Sequence, residues 1–202
     1  MNKALFLDRD GIINIEKNYL YRIEDFEFIN ETVELMRKAQ NRGYLLIVVS
    51  NQAGIAKGKF MEKDFQILNQ WMIKELESKG IKITDSLYCP YHKEGIVPEY
   101  RKDSFDRKPN PGMILNAIKK YQIDPQESYL LGDRFSDIIA GYKANVKKLF
   151  LLEKEYSYRD YQEEDFQEIV YSKISIISDE IIVWKLIITE SLDKGFEKWY
   201  YK

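Results

Sequence analysis

The chain has 202 residues, of which 45% are hydrophobic and 32% charged, with a net charge of -2. That length can bury a sizeable core, and the composition suits a soluble globular protein. The balance of 31 basic against 33 acidic residues gives no support to a nucleic-acid-binding surface. A single cysteine excludes an internal disulfide and favours a reducing compartment. The N-terminal "MNKALFLDRDG" lacks the long apolar stretch of a signal peptide. The C-terminal "ISIISDEIIVWKLIIT" is interrupted by Asp179, Glu180 and Lys185, too many charges for a membrane span. The expectation is a cytoplasmic protein with neither a nucleic-acid nor a membrane partner.

Strands and helices alternate along the chain. Residues 3–8 read as a short buried strand that stops at an aspartate. Residues 30–42 carry helical spacing, with Asn30 as N-cap and Gly43 as the stop. Residues 44–50 form a β-branched, continuous run, a second buried strand. Residues 61–80 predict a long amphipathic helix closing on Gly80, and residues 85–89 a weaker strand. A helix over 110–123, a strand over 128–133, a helix over 135–144 and a strand over 147–152 follow. Residues 153–168 read as a charged, aromatic connection, and 169–177 as a last strand. From Asp179 onward Ile181, Trp184, Ile188, Leu192, Phe196 and Trp199 recur every three or four residues, which predicts an amphipathic helix. The reading is one domain over 1–190 and a helical tail over 191–202. Its class is α/β: a Rossmann-like, mainly parallel sheet with helices on both faces. Ligands in such sheets sit outside the carboxyl ends of the strands.

Four motifs stand at those ends. In "FLDRDG", Asp8 and Asp10 lie two apart, so extended backbone points both carboxylates the same way. Converging carboxylates favour a divalent cation, and one can attack phosphorus while the other handles a proton. In "VVSNQAG", Ser50 follows a strand, where a hydroxyl and backbone amides can hold a phosphoryl oxygen. In "RKPNPG", Lys108 is a point charge for phosphate and Arg107 a planar fork. In "LLGDRFSD", Asp133 ends a strand, with Asp137 one helical turn later to support it from behind.

Taken together and in this order, the four motifs resemble the haloacid dehalogenase (HAD) superfamily of phosphotransferases over residues 3–152. The resemblance implies a HAD-like fold, with Asp8 as the nucleophile that becomes an aspartyl-phosphate and Asp10 as general acid and base. It implies Mg2+ held by Asp8, the backbone carbonyl of Asp10 and Asp133, with Ser50 and Lys108 stabilising the phosphoryl group. The stretches "LDRDGIIN", "SNQAGIAKGKF", "RKPNPGM" and "GDR-SD" are similar to the heptose-bisphosphate phosphatases of that superfamily, with histidinol-phosphate phosphatases as near relatives. By that likeness no separate cap domain is expected. Glu16, Lys17, Asn18 and Tyr19, the run Asn51, Gln52 and Ala53, and Arg107 and Arg134 would line the substrate site. Lys57 and Lys59 are further candidates for gripping a second phosphate. The expected partner is a small sugar phosphate and the expected state a monomer. A histidinol-phosphate phosphatase, or a non-catalytic sugar-phosphate binder on the same fold, is the alternative.

The stretch "YCPYHKEGIVPEYRKDSFDRKP" departs from that likeness. Many such phosphatases hold a structural zinc here through a Cys-x-His pair and a Cys-x-Cys. This sequence keeps Cys89 but has Tyr91 at the histidine position, His92 beside it, and Ser104-Phe105-Asp106 in place of the second pair. Zinc takes four ligands, so it is not expected here. Packing of Tyr91, Tyr100 and Phe105, together with the loop's many charge pairs, would hold the loop instead.

Overall fold

The computed structural model describes residues 1–152, 154 and 156–157, and the backbone of 174–177. Six strands form one parallel sheet: β1 (Lys3–Leu7), β2 (Tyr44–Asn51), β3 (Ile83–Cys89), β4 (Tyr129–Gly132), β5 (Lys148–Leu152) and β6 (Ile174–Ile177), in the order β3-β2-β1-β4-β5-β6. Among the described residues five α-helices lie between strands: α1 (Asn30–Asn41), α2 (Ala53–Ala56), α3 (Glu62–Ser78), α4 (Gly112–Tyr121) and α5 (Phe135–Lys143).

The continuous apolar runs are continuous because the sheet is covered on both faces. Side chains alternate across a strand. Leu5 and Leu7 of β1, with Leu46 and Val48 of β2, join a core packed under α1 and α3. Ala4 and Phe6, with Ile47 and Val49, face the opposite core under α4 and α5. Each fully buried Leu or Ile of these layers contributes about 1.5–3 kcal/mol. The strand read as weak, β3, is an edge strand, half-buried until Cys89. It is tied to α4 by Asp85, which accepts from Lys120 Nζ at 2.9 Å and the Tyr121 hydroxyl at 2.8 Å.

The boundaries agree with the expected elements to within two residues, except that β6 covers only the last part of 169–177. One cap differs. Asn30 is the first helical residue; Ile29 occupies the N-cap position without a side-chain bond, and its N–H donates to Ile13 O at 2.9 Å. The single turn of α2 was not anticipated. Gly80 closes α3 as expected: with φ of +76° it lets its own N–H reach Glu77 O and the N–H of buried Ile81 reach Leu76 O. The connection 153–168, the helix from Asp179 and the 191–202 tail lie largely or wholly outside the described residues.

The strand order places the site. The chain leaves β1 toward β2 and β3, then crosses back to β4 on the other side of β1. The carboxyl ends of β1 and β4 therefore flank the topological switch point. Among the described residues the two longest connections, 8–29 and 90–111, start from the carboxyl ends of β1 and β3, and their helices are short 3-10 turns at Ile23–Asp25 and Pro98–Tyr100.

Candidate active site

Asp8 is the first residue past β1, and its N–H still bonds Leu131 O of β4 at 3.0 Å. The chain then turns sharply, with Arg9 O accepting from the N–H groups of Ile12, Ile13 and Asn14. Gly11 makes the turn at φ +80°, and a Cβ there would lie 2.0 Å from Asp133 Oδ2. Glycine at this position thus lets β1 and β4 bring Asp8 and Asp133 together.

Lys108 arrives from a loop a hundred residues away. Its Nζ stands 2.8 Å from Asp8 Oδ1, 2.6 Å from Asp137 Oδ1 and 2.7 Å from Val49 O. Its backbone is held by one side chain: Asn51 Nδ2 donates to Lys108 O at 2.9 Å, and Lys108 N–H donates to Asn51 Oδ1 at 3.0 Å. Both ends of the Asn51 amide are thereby engaged in placing the lysine.

Asp8, Asp133 and Asp137 are all buried, and each offers an oxygen within 4.8 Å of the others. Two of these carboxylates, Asp8 and Asp137, meet the Lys108 ammonium. Burial pushes the Asp8 carboxyl up to about 6, reinforced by Asp137 and Asp10 and opposed by Lys108. Burial, then the charge of Asp8, raises Asp133 well above the usual carboxylate range. Burial works against the charge on Lys108, but Asp137 and Asp8 outweigh it and hold its pKa above the ordinary lysine value. Neither Asp133 oxygen accepts a well-formed hydrogen bond among the described residues, although the Tyr156 phenol stands beside them. Buried carboxylate oxygens without a well-formed hydrogen bond, beside two further buried carboxylates, fit a hard divalent cation such as Mg2+. Asp137 is nearer the centre than a supporting position required: it pairs with Lys108 and accepts the Arg134 N–H at 3.0 Å. A Cβ on Gly132 would meet Asp137 Cβ at 2.3 Å, so this approach also depends on glycine.

Asp10 does not join that cluster. Its Oδ1 accepts from Arg9 Nε at 3.1 Å, Arg9 Nη2 at 2.8 Å and Asn14 Nδ2 at 3.0 Å. Its Oδ2 accepts from Arg9 Nη2 at 2.8 Å and Gln52 Nε2 at 3.1 Å. Gln52 also donates to Ser50 Oγ at 2.8 Å, so the end of β2 and the turn after β1 form one polar network.

The remaining expected residues ring this centre unevenly. Glu16 faces Arg134 at 3.6 Å and accepts the Asn18 N–H at 2.6 Å; burial raises its carboxyl. Asn18 and Tyr19 have positive φ, 51° and 62°. Lys17 is turned to Glu27, and Ala53 opens α2. Lys59 lies 6.0 Å from the Tyr19 ring centre, and Arg107 Nη1 reaches Tyr91 O at 3.4 Å. Sequence reasoning missed Arg9, which is 1% exposed. Its signal was an arginine between two aspartates at a buried strand end. It also missed Glu62, which accepts from Tyr88 at 2.9 Å and Tyr100 at 2.8 Å and so ties the 90–111 loop to α3.

A buried aspartate just past the central strand, a second aspartate two residues on, and a lysine paired with a further aspartate at the switch point make the arrangement of a HAD-type phosphotransferase. The HAD-hydrolase-like family model matches residues 105–173. The D-glycero-alpha-D-manno-heptose-1,7-bisphosphate 7-phosphatase of Photorhabdus laumondii is 49% identical over 150 residues, covering 74% of this chain and 82% of that protein. The D-glycero-beta-D-manno-heptose-1,7-bisphosphate 7-phosphatase of Escherichia coli K12 is 43% identical over 143 residues, covering 71% and 75%. A crystal structure of D,D-heptose 1,7-bisphosphate phosphatase from B. bronchiseptica, complexed with magnesium and phosphate, superposes with a TM-score of 0.76 at 18% identity. It covers 93% of this chain and 99% of that one, and shows a shared fold. The chain belongs to the D-glycero-D-manno-heptose-1,7-bisphosphate 7-phosphatase family of HAD-like hydrolases.

Proposed function

We propose that this chain is a Mg2+-dependent phosphatase that removes the 7-phosphate of D-glycero-D-manno-heptose 1,7-bisphosphate, a step toward nucleotide-activated heptose for surface glycans such as lipopolysaccharide. The observation that carries the reading is the Asp8–Lys108 pair inside a cluster of buried carboxylates. The family relationship supplies the substrate.

Each residue then has a part. An Asp8 carboxylate oxygen attacks phosphorus as the bond from phosphorus to the sugar oxygen breaks, and Asp10 gives that oxygen its proton. Asp10 next takes a proton from water as the water oxygen attacks the same phosphorus. The bond from phosphorus to Asp8 breaks, which returns the Asp8 carboxylate and releases inorganic phosphate. Lys108 and the Ser50 hydroxyl face the phosphoryl oxygens, where a fixed donor and an ammonium lower the barrier. Asp8, the Asp10 carbonyl and Asp133 would hold Mg2+, with Asp137 beside them; when bound, the cation offsets negative charge on the transferring group. Asn51 and Gln52 act by holding Lys108, and Ser50 with Asp10. By the family likeness, Arg107 and Arg134 are the cations for the phosphate that stays on the sugar. Glu16, Lys17, Asn18, Tyr19 and Ala53 form the adjoining wall.

We hold the protein to be a cytoplasmic monomer without zinc. What supports the last point is that Cys89 is buried beside Ser104, His92 Nδ1 accepts the Glu94 N–H, and Asp106 accepts from Asn116. The test of the function is a phosphate-release screen with Mg2+ over both heptose-bisphosphate anomers and histidinol phosphate. Turnover of histidinol phosphate equal to or above that of the heptose would overturn the choice of substrate.

A further inference from the structure

Arg9 is a fully buried cation whose partners are few and specific. Its Nε and Nη2 fork onto the Asp10 carboxylate, and Nη2 also donates to Leu20 O at 3.1 Å. Its guanidinium lies 5.3 Å from the ring centre of Phe65 in α3. Nη1 is buried with no hydrogen-bond partner among the described residues. A buried guanidinium with an unpaired nitrogen costs stability, so a wholly structural role would be better filled by an apolar side chain. What arginine adds over any other residue is a planar fork that fixes a carboxylate in orientation as well as in place.

We propose that Arg9 is a positioning residue for the reaction. It sets the direction of the Asp10 carboxylate and ties it, through Leu20 O, to the Glu16–Tyr19 segment beside the sugar. Asn14 and Gln52 complete the cradle, so Asp10 stays aimed while proton donor and proton acceptor roles alternate. Lysine at position 9 would keep the charge and lose the fork.

The inference rests on the reading of Asp10 as acid and base, and Asp10→Asn is the control that separates the two. In the full-length protein with Mg2+ and heptose bisphosphate, Arg9→Lys should lower kcat by about 100-fold, the cost of misplacing a catalytic group by about an ångström. KM should stay near that of the unaltered protein. In an Asp10→Asn background the same change should cost little more, because the two residues act as one unit. An inactive Asp10→Asn with an Arg9→Lys variant of unaltered kcat overturns the role of Arg9 alone. An active Asp10→Asn overturns the acid–base assignment itself. A crystal structure of the unaltered protein with Mg2+ and vanadate reads the same point without a substitution. Asp10 still forked by Arg9 supports the proposal, and Asp10 turned off Arg9 overturns it.

Discussion

Lys108 Nζ and Asp8 Oδ1 stand 2.8 Å apart in a buried pair contributed by two loops a hundred residues apart. Asp137 takes the same ammonium at 2.6 Å, so the lysine is shared between the proposed nucleophile and a neighbouring carboxylate. The pair makes Asp8 the residue whose replacement is most informative. Asp8→Asn should abolish phosphate release while substrate binding persists. Single-turnover assays and calorimetric titration with the bisphosphate check the two halves.

The same substitution should act on stability in the opposite sense. The folded-state value for Asp8 is about 6, above its ordinary 3.8, because burial outweighs Lys108. A raised carboxyl stabilises the fold only while protonated. That contribution is full below the ordinary value and is lost as pH rises through about 6. At neutral pH the ionised Asp8 therefore opposes folding of the metal-free protein. Asp8→Asn should raise the metal-free Tm by a few degrees at pH 8, and the gain should close toward about pH 4. Mg2+ should raise the Tm of the unaltered protein more than that of the variant. Thermal melts across pH, with and without Mg2+, test both statements.

Gly11→Ala should cripple the site from the backbone. The new Cβ would overlap Asp133 Oδ2 at 2.0 Å, and the φ of +80° is strained for alanine. A stability loss of about 1–3 kcal/mol is expected, with a loss of Mg2+-dependent stabilisation beyond it. Denaturant unfolding with and without Mg2+ separates the two effects.

Glu62→Ala should free the 90–111 loop. Glu62 holds Tyr88 and Tyr100 by one carboxylate oxygen each, and this bonding pushes the Tyr100 phenol up to about 12. Losing both charge-assisted bonds should cost about 2–3 kcal/mol. Hydrogen exchange should rise across 92–107. Elemental analysis of the unaltered protein should find no stoichiometric zinc, and one equivalent per chain would refute the metal-independent loop.

Arg107→Ala should raise KM for the bisphosphate by about tenfold, the equivalent of about 1.4 kcal/mol. KM for a monophosphate probe such as p-nitrophenyl phosphate should change little. Equal effects on both substrates would remove Arg107 from the grip on the uncleaved phosphate.

Much of this was legible in one dimension. β1 is an apolar run that ends where a charge must leave the sheet, so "KALFLD" showed both the strand and the residue after it. The helical periods of α1 and α3 mark the faces that cover one side of the sheet. Asp8 and Asp133 stand just past β1 and β4 and Ser50 near the end of β2, where parallel strands present their carboxyl ends at one edge; Lys108 comes from the loop after β3.

What the tertiary structure decided is which charge faces which. Sequence spacing put Asp8 and Asp10 on one side of an extended strand, but β1 ends at Leu7 and the chain turns from Arg9. Asp8 goes to Lys108 and the buried carboxylates, and Asp10 to Arg9, Asn14 and Gln52. Asn51 reads as a substrate residue in sequence and is a clamp on the Lys108 backbone in space. Glu62 had no motif to reveal it, because its partners Tyr88 and Tyr100 lie on β3 and the 90–111 loop. Arg9 stands inside the first motif, but its burial and its fork onto Asp10 show only in the folded chain. Local backbone preference and apolar period determine strands, helices and their order. The pairing of buried charges depends on distances across the sheet, which only the closed fold defines.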